Sequence, residues 1–550
     1  MRKLLSLLPI LLLVVACRPQ DFNADLLVKN AVVYTVDGKF SVADAFVVKG
    51  GKIIAVGKDD SLESIYKAHS VIDAEGKPVY PGFMDDHSHF YAYGLGLQEV
   101  NLDATKSWNE IIDSVSSFSK TNTEGWLIGR GWDQNQWKTK QFPDKKKLDS
   151  LFPVRPVLLE RIDGHAAIAN QAALNLAGVK AGQVVTGGTI ETINGKLTGV
   201  LVDNAVGIVT RKIPEPTEQV TQTALLEAQK KCFADGLTTV SDCGLPYTMI
   251  STLSELQHKG LLKMRLYVML SDRAENYDYL FKHGAVKTPG LDVRSFKMYA
   301  DGALGSKGAC LLQPYSDNKP EQKGWKGFLL SSQAHFEEIA QKLATRGFQL
   351  CTHAIGDSAN RVILKVYASA LKGKNDLRWR IEHSQVVAPE DLHYFGDYGI
   401  IPSVQPTHAT SDMRWAVTRL GDKRLKSAYA YKQLLDQNGW IPLGTDFPVE
   451  SINPMYTFYA AVVRKDLKGY PENGFQMENA LSRQEALQGM TIWAAKANFE
   501  EKEKGSIEAG KYADFVILDQ DIMTVPESSI LGTGVIATYI SGKAVFERGR

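Results

Sequence analysis

The chain has 550 residues, of which 44% are apolar and 23% are charged, and its formal net charge is +1. This composition is typical of a globular protein, and the absence of a basic stripe with interleaved aromatic side chains argues against a nucleic-acid partner. The length exceeds the size at which single hydrophobic cores usually stop growing, so it predicts one large domain and a smaller one.

The N-terminus has the pattern of a secretory signal. Two basic residues precede an apolar run at 4–16, which is too short for a comfortable membrane-spanning helix. The letters VVAC end this run at Cys17 and resemble a bacterial lipobox, in which the cysteine is lipidated and begins the mature chain. Residues 1–16 are therefore predicted to be a signal peptide. The protein is expected to be an exported lipoprotein, facing the periplasm or the cell surface, that touches the membrane only through this lipid anchor. The alternative is an ordinary secretory signal that is cut near Ala16.

Both ends of the mature chain have the character of short strands. Within 25–80, apolar stretches such as 31–36 and 52–56 are separated by Asp-Gly and Gly-Gly turn signals, and similar stretches recur near the C-terminus. We expect 25–80 and 500–550 to form one small β-sandwich domain, and 81–499 to form the larger domain.

The middle of the chain alternates apolar runs with helix-like stretches such as 220–234 and 333–346. Eight such runs lie at 82–89, 237–243, 265–270, 296–300, 349–353, 380–383, 400–405 and 441–446. Strand–helix alternation is typical of a parallel sheet, and eight units would close a TIM-type (β/α)8 barrel, an α/β fold. The gap between the first and second runs is too long for one crossover, so we expect an inserted subdomain at about 95–220.

Candidate metal ligands stand at the carboxyl ends of these runs, where the active sites of TIM barrels are built. His87 and His89 are two residues apart, so on a strand both imidazoles face the same side. His353, His383 and Asp446 close the fifth, sixth and eighth runs. A His-x-His pair alone is a weak signal. Four of the 11 histidines fall at strand ends, however, and random placement would rarely give this.

Three further motifs complete a resemblance to a known family. Lys297, in the fourth run, is followed by DGALGS at 301–306, DGH occupies 163–165 in the insert, and GSIEAGKYADFV occupies 505–516. With the strand-end histidines, this pattern resembles the amidohydrolase superfamily, and specifically its YtcJ-like branch (amidohydrolase family 3) of metal-dependent hydrolases. The resemblance covers essentially the whole mature chain.

The resemblance implies a centre with two divalent metal ions. The ligands would be divided between the two ions: His87, His89 and Asp446 for the more buried one, and His353 and His383 for the other. Lys297 would bridge the ions as a carbamate, because two cations would repel an ammonium group whereas a carbamate offers anionic oxygen. Zinc suits these ligands, and other first-row divalent metals also fit. The alternative is an ion pair between Lys297 and Asp301, which would leave a mononuclear site.

The resemblance further implies hydrolysis of a non-peptide C–N bond in a small molecule, such as an N-acyl or N-formyl amide. Metal-bound hydroxide would attack the carbonyl carbon, and Asp446 would act as general acid and base by carrying the proton to the leaving amine. His165 and His408 are candidate substrate-binding residues, although each could equally be structural.

Two other functions stay open. A deaminase of the same superfamily would need one metal ion and no bridging lysine, so Lys297 argues against it. A non-catalytic surface protein that binds a glycan or a partner would typically have lost ligands, whereas this chain has the complete set.

Other residues carry weaker expectations. Asp301 is expected to orient the Lys297 strand or to be a simple turn residue, and Arg380 and Glu382 are expected to support the site or the fold. Three tryptophans are candidates for an aromatic cavity wall, against an ordinary packing role: Trp132, Trp137 and Trp415. Four cysteines are expected to be buried free thiols, although an exported protein could form disulfides: Cys232, Cys243, Cys310 and Cys351.

Overall fold

The computed structural model describes residues 23–549, so the predicted signal peptide and Cys17 lie outside the described residues. Within that range, no helix combines the length and the apolar character needed to cross a membrane. The cysteines that the structure describes are buried and free, as expected: Cys232, Cys243, Cys310 and Cys351.

A parallel sheet forms the wall of the barrel. Its strands are β1 (Phe83–Ser88), β2 (Leu237–Leu245), β3 (Arg265–Ser271), β4 (Leu291–Tyr299), β5 (Gln349–Ala354), β6 (Arg380–His383) and β7 (Ile401–Ser403). They neighbour one another in chain order, and the short strand Val286–Lys287 pairs antiparallel with β4. Nearly every residue of these strands is buried, which explains why their sequences are continuous apolar runs rather than alternating ones.

Residues 441–446, the closing segment, lie between β7 and β1 in the barrel wall. They close the barrel without forming a regular strand. Leu443 makes one parallel bridge to Val404, and its carbonyl oxygen accepts a hydrogen bond from Asp86 N at 3.2 Å. Pro442 has no N–H to donate, which limits the ladder. The TIM-type barrel is therefore nearly closed, and its eighth predicted strand is reduced to a bridge.

Helices alternate with these strands. They are Phe90–Gly96, Glu218–Ala234, Met249–His258, Ala274–His283, Gln333–Arg346, Asp357–Leu371, His393–Tyr398, Pro406–Leu425, Tyr431–Asn438, Pro454–Val463, Arg483–Gly489 and Ile492–Ala497. The helices expected at 220–234 and 333–346 are among them. The second begins where the Ser332 side chain accepts a hydrogen bond from His335 N, and it ends at Gly347, whose φ is 74°.

Between β1 and β2 the chain builds a separate six-stranded sheet. Its strands are Val100–Asn101, Leu127–Trp132, Val157–Arg161, Ala166–Ala169, Gly188–Ile193 and Lys196–Asp203, and its helices are Trp108–Ser119, Lys146–Leu151, Gln171–Ala177 and Val206–Thr210. Two apolar clusters belong to this region, and both Trp132 and Trp137 pack in the first of them. The region therefore has hydrophobic cores of its own, which is consistent with the inserted subdomain expected at about 95–220.

Two further sheets lie near the chain ends, and one of them combines strands from both ends. A four-stranded sheet contains Ala24–Lys29, Ala45–Lys49, Lys52–Gly57 and Ala68–Asp73, and a six-stranded sheet contains Val32–Tyr34, Val42–Ala43, Pro78–Pro81, Phe515–Leu518, Val535–Ile540 and Lys543–Glu547. The short helices Asp59–Ile65 and Glu527–Ile530 accompany them. Phe46 of one sheet meets Phe515 of the other edge to face, with ring centroids 5.0 Å apart. The exact domain boundaries stay a prediction.

Candidate metal centre and active site

Donor atoms from distant parts of the chain meet at the carboxyl end of the barrel. Those of His87, His383 and Asp446 lie within 4.8 Å of one another, and all three residues are buried. Asp446 Oδ1 is 3.6 Å from His87 Nε2 and 3.3 Å from Nε2 of His89, which follows β1 directly. Parallel strands end at the same face of a barrel, so residues far apart in sequence converge there.

His353 and Lys297 complete this group. The His353 ring lies 4.6 Å from the His383 ring, measured between centroids. Lys297 Nζ is 3.1 Å from His87 Nε2 and 5.0 Å from the centre of the Tyr299 ring. The structure thus brings all six predicted ligands to one centre.

Buried polar partners orient two of the imidazoles. His87 Nδ1 is 2.5 Å from a carboxylate oxygen of Glu382, and His383 Nδ1 is 2.7 Å from Gln405 Oε1. Each contact leaves Nε2 free to face the centre, which is how proteins usually hold a metal-binding histidine. Burial opposes ionisation of Glu382, but His87 and Arg380 outweigh it and lower the pKa of this carboxyl to about 2. Of the two roles expected for Glu382 and Arg380, support of the site or of the fold, these contacts favour support of the site.

Asp85 is hydrogen-bonded to the closing segment, which contains Asp446. Its Oδ1 accepts a hydrogen bond from Thr445 N at 3.0 Å, and its Oδ2 accepts one from Thr445 Oγ1 at 2.6 Å. Gly444 packs so tightly that a Cβ there would lie 2.5 Å from His87 N. Asp446 itself adopts a left-handed backbone with a φ of 64°, which is uncommon outside glycine and is often found at functional sites. Asp85 was not predicted as a site residue, although it lies two positions before His87.

The protonation states suit metal binding. Burial lowers the pKa of His87 to about 4, and it holds the pKa of His353 well below the ordinary value. Burial opposes ionisation of Asp446, but His87 and His89 outweigh it, so the pKa of Asp446 lies well below its usual range. Neutral imidazoles and an ionised carboxylate are the forms in which these side chains bind metals. Burial also opposes the charge of Lys297, yet its surroundings, Tyr299 first, raise its pKa.

Two of the predicted ligands each have a buried side-chain atom with no hydrogen-bond partner among residues 23–549. These atoms are His353 Nε2 and Asp446 Oδ1. A buried polar atom without a partner is costly and calls for an explanation. Nitrogen and oxygen donors of this kind match the preferences of zinc and related divalent metals, so the residues present fit a metal centre.

The insert delivers His165 to the same centre. Its ring lies 5.0 Å from the His353 ring, and its Nδ1 is 2.7 Å from Asp203 Oδ1. The Asp203 side chain is fully buried and lies against Gly302 and Gly308, where a Cβ at either position would collide with the carboxylate. Asp203 escaped the sequence analysis because nothing in its neighbourhood links it to a residue 38 positions earlier.

Asp301 holds loops together instead of pairing with Lys297. Its carboxylate accepts hydrogen bonds from Cys310 N at 2.7 Å, Gly356 N at 2.9 Å and Ile355 N at 3.0 Å. Burial raises the pKa of this carboxyl to about 7. Across the described part of the chain, no ion pair joins Asp301 to Lys297, so that alternative for the lysine is not supported.

A cavity of about 760 Å³ opens above these residues, between the insert and the barrel. His165 and His408 both line it, and His408 Nε2 is 3.6 Å from Asp446 Oδ2. Trp415 lines the cavity too, whereas Trp132 and Trp137 lie in the core of the insert. Trp132 and Trp137 thus have the ordinary packing role that was the other expectation for them, and Trp415 alone of the three lines the cavity.

Comparisons with known proteins identify the family of this chain. A model of the amidohydrolase family matches residues 70–546. The protein LONG AFTER FAR-RED 3 of Arabidopsis thaliana is 33% identical over 96% of this chain and 92% of its own length. The N-substituted formamide deformylase of Arthrobacter pascens is 26% identical over 95% of this chain and 98% of its own length. An uncharacterized metal-dependent hydrolase from Pyrococcus horikoshii OT3 superposes with a TM-score of 0.75 and 26% identity, covering 91% of this chain and 99% of that one.

The fold and the centre define a metal-dependent hydrolase built on a TIM-type barrel. This chain belongs to the amidohydrolase family, as the motifs predicted. It is an enzyme that acts on carbon–nitrogen bonds other than peptide bonds.

Proposed function

We propose that the protein hydrolyses an N-acyl or N-formyl amide of a small molecule at a centre that holds two divalent metal ions. The observation that carries this proposal is the convergence of the predicted ligands, with Lys297 Nζ 3.1 Å from His87 Nε2. A relative with similarity over nearly the whole chain is an N-substituted formamide deformylase, which supports a formyl or acyl amide as the substrate class.

Each predicted ligand has a place in this proposal. The ions would be held by His87, His89 and Asp446 on one side and by His353 and His383 on the other, with zinc as the preferred metal. Lys297 would bridge them as a carbamate, because its ammonium form could not stay beside two cations. When bound, the ions supply Lewis acidity and lower the pKa of water.

Side chains of the protein would transfer the proton and bind the substrate. Asp446 is ionised, and its Oδ1 has no hydrogen-bond partner among the described residues, so it can accept the proton from water. The same carboxyl group would then give the proton to the nitrogen of the leaving amine. His165 and His408 line the cavity and would contact the substrate.

The test is metal content and turnover of the mature protein, for wild type, Lys297→Ala and Asp446→Asn. We expect about two equivalents in wild type and fewer in both variants, with hydrolysis of at least one amide in a formyl and acyl panel. Lys342→Ala, which removes an exposed lysine of the helix Gln333–Arg346, is the control and should behave as wild type. About one equivalent in wild type and in Lys297→Ala would indicate a mononuclear deaminase. No metal even after loading would indicate a non-catalytic binding protein.

We also propose that the protein is exported and anchored by a lipid on Cys17. This rests on the basic start, the apolar run and the VVAC letters of the sequence. In a bacterial host, wild type should fractionate with membranes, and Cys17→Ser should fractionate as a water-soluble protein, with Arg18→Ala as the control. Identical fractionation of wild type and Cys17→Ser would contradict the lipid anchor.

A further inference from the structure

Two carboxylates on the barrel side of the cavity have no basic partner. Glu450 and Asp412 both line the cavity. Glu450 accepts a hydrogen bond from Ser411 Oγ at 2.5 Å, and Asp412 accepts one from Tyr429 Oη at 2.8 Å. Within residues 23–549, no lysine or arginine lies within ion-pair distance of either one.

Outside the metal-ligand centre, the other acidic groups of the same cavity have an arginine partner. Arg161 contacts both Asp133 and Asp163, Arg130 contacts Glu160, and Arg414 contacts Asp466. Apart from Lys297 in the metal-ligand centre, Lys140 is the remaining lysine or arginine of the wall, and it is exposed to solvent. The arginines of the cavity are therefore all engaged, and Glu450 and Asp412 are the carboxyl groups outside that centre that have no lysine or arginine partner among the described residues.

A second observation points to a ligand in this cavity, between the two carboxylates and the metal-ligand centre. His408 is only 8% exposed, and its Nε2, which is 3.6 Å from Asp446 Oδ2, has no hydrogen-bond partner in the described part of the chain. It lines the cavity with the two carboxylates and interacts electrostatically with both. A polar nitrogen buried in this way is expected to receive its partner from a bound molecule.

The unpaired acids also resist ionisation. Burial raises the pKa of Asp412 to about 7, and burial raises the pKa of Glu450 above its ordinary value. His408 opposes both shifts, while nearby Asp133 adds repulsion. A cation placed between the two carboxylates would stabilise their ionised forms and would bind through charge-assisted hydrogen bonds.

We propose that the substrate carries a cationic group, an ammonium or a guanidinium, which binds Glu450 and Asp412 while the amide lies at the metal-ligand centre. This inference rests on the proposed function, whose substrate class it narrows to amides of small cationic compounds. The cavity volume of about 760 Å³ suits a molecule of that size.

The test compares three matched probes that differ only at one end: N-(5-aminopentyl)acetamide, neutral N-pentylacetamide and anionic 6-acetamidohexanoate. Dissociation constants are measured by calorimetry, so the outcome does not depend on turnover. We expect the aminopentyl probe to bind at least about tenfold more tightly than the neutral one, and the anionic probe to bind most weakly. Equal binding of the cationic and neutral probes by wild type would overturn the inference without any variant.

Variants then assign the preference to the two carboxylates. In Glu450→Gln, and more fully in Glu450→Gln with Asp412→Asn, the ratio between the cationic and neutral probes should fall to about threefold or less. Glu255→Gln removes the same charge from an exposed helix position and should keep the wild-type ratio. A ratio that survives in a folded double variant would overturn the inference. If the probes bind as expected but none is hydrolysed, the cation site stands and the proposed amide chemistry fails.

Discussion

At the scale of single residues, Glu382 determines which nitrogen of His87 faces the centre. Its carboxylate lies 2.5 Å from His87 Nδ1, and both side chains are fully buried. In Glu382→Gln the neutral amide would hold the ring less firmly and make Nε2 less basic. Metal affinity, measured by titration with a chelator, should fall about 10- to 100-fold. Glu390→Gln alters an exposed glutamate and should have wild-type affinity. Unchanged affinity in a folded Glu382→Gln protein would contradict this role.

Asp203 is expected to act in the same way on His165, from within the insert. Its Oδ1 lies 2.7 Å from His165 Nδ1, so the carboxylate fixes the orientation of a ring that lines the cavity. Asp203→Asn keeps the shape and removes the charge, which should lower kcat/KM about tenfold or more, because a charge-assisted hydrogen bond is lost. His165→Ala and the double variant should show little further loss. Independent, additive losses would contradict a coupled pair, and Asp144→Asn on the insert surface is the control.

At the scale of elements, the closing segment depends on a hydroxyl group. Thr445 Oγ1 donates to Asp85 Oδ2 at 2.6 Å, across 360 positions of sequence. Thr445→Val has nearly the same shape but leaves this buried carboxylate oxygen without a partner. The free energy of unfolding should fall by about 1–3 kcal/mol, measured by urea denaturation. Activity should fall as well, because Asp446 is the next residue. Thr345→Val, at an exposed helix position, should leave stability nearly unchanged. Equal stability of wild type and Thr445→Val would show that the segment is held by other contacts.

Asp242 of β2 makes barrel stability depend on pH. Its carboxylate accepts a hydrogen bond from Tyr91 N at 2.9 Å, and burial raises its pKa to about 7. An acid whose pKa is raised by folding contributes stability that is present below its ordinary pKa and is lost as the pH rises through its folded pKa. Asp242→Asn cannot ionise, so its stability relative to wild type should increase between about pH 4 and pH 8, by at most about 4 kcal/mol. Urea denaturation at several pH values measures this difference, and Asp60→Asn, at an exposed position, should show none. A pH-independent difference for Asp242→Asn would contradict the raised pKa.

The barrel strands were predictable because buried parallel strands have a continuous apolar sequence, and the ligands were predictable because they end those strands. The irregular eighth position was harder to foresee, since 441–446 has the same apolar character and only Pro442 hints at a broken ladder. Asp203 could not be foreseen, because its role depends on how the insert meets the Gly302–Gly308 loop. Contacts between the insert and the barrel, which have separate hydrophobic cores, leave no periodic signal in the sequence of either region.

At the scale of the whole molecule, the proposed metal centre would cross-link the first and last elements of the barrel. His87, His383 and Asp446 offer ligand atoms within 4.8 Å of one another from three separate segments. These residues converge only in the folded state, so metal binding should stabilise that state by about 2.7 kcal/mol at a free metal concentration of 100 times the dissociation constant. Chelation should therefore lower the Tm, and added zinc should restore it in a concentration-dependent way. In His383→Ala the zinc-dependent shift should shrink, whereas His393→Ala, outside the site, should show the full shift. A Tm that does not respond to chelation in metal-loaded wild type would mean that the closing segment is held by protein contacts alone, among which the Asp85–Thr445 pair is the strongest candidate.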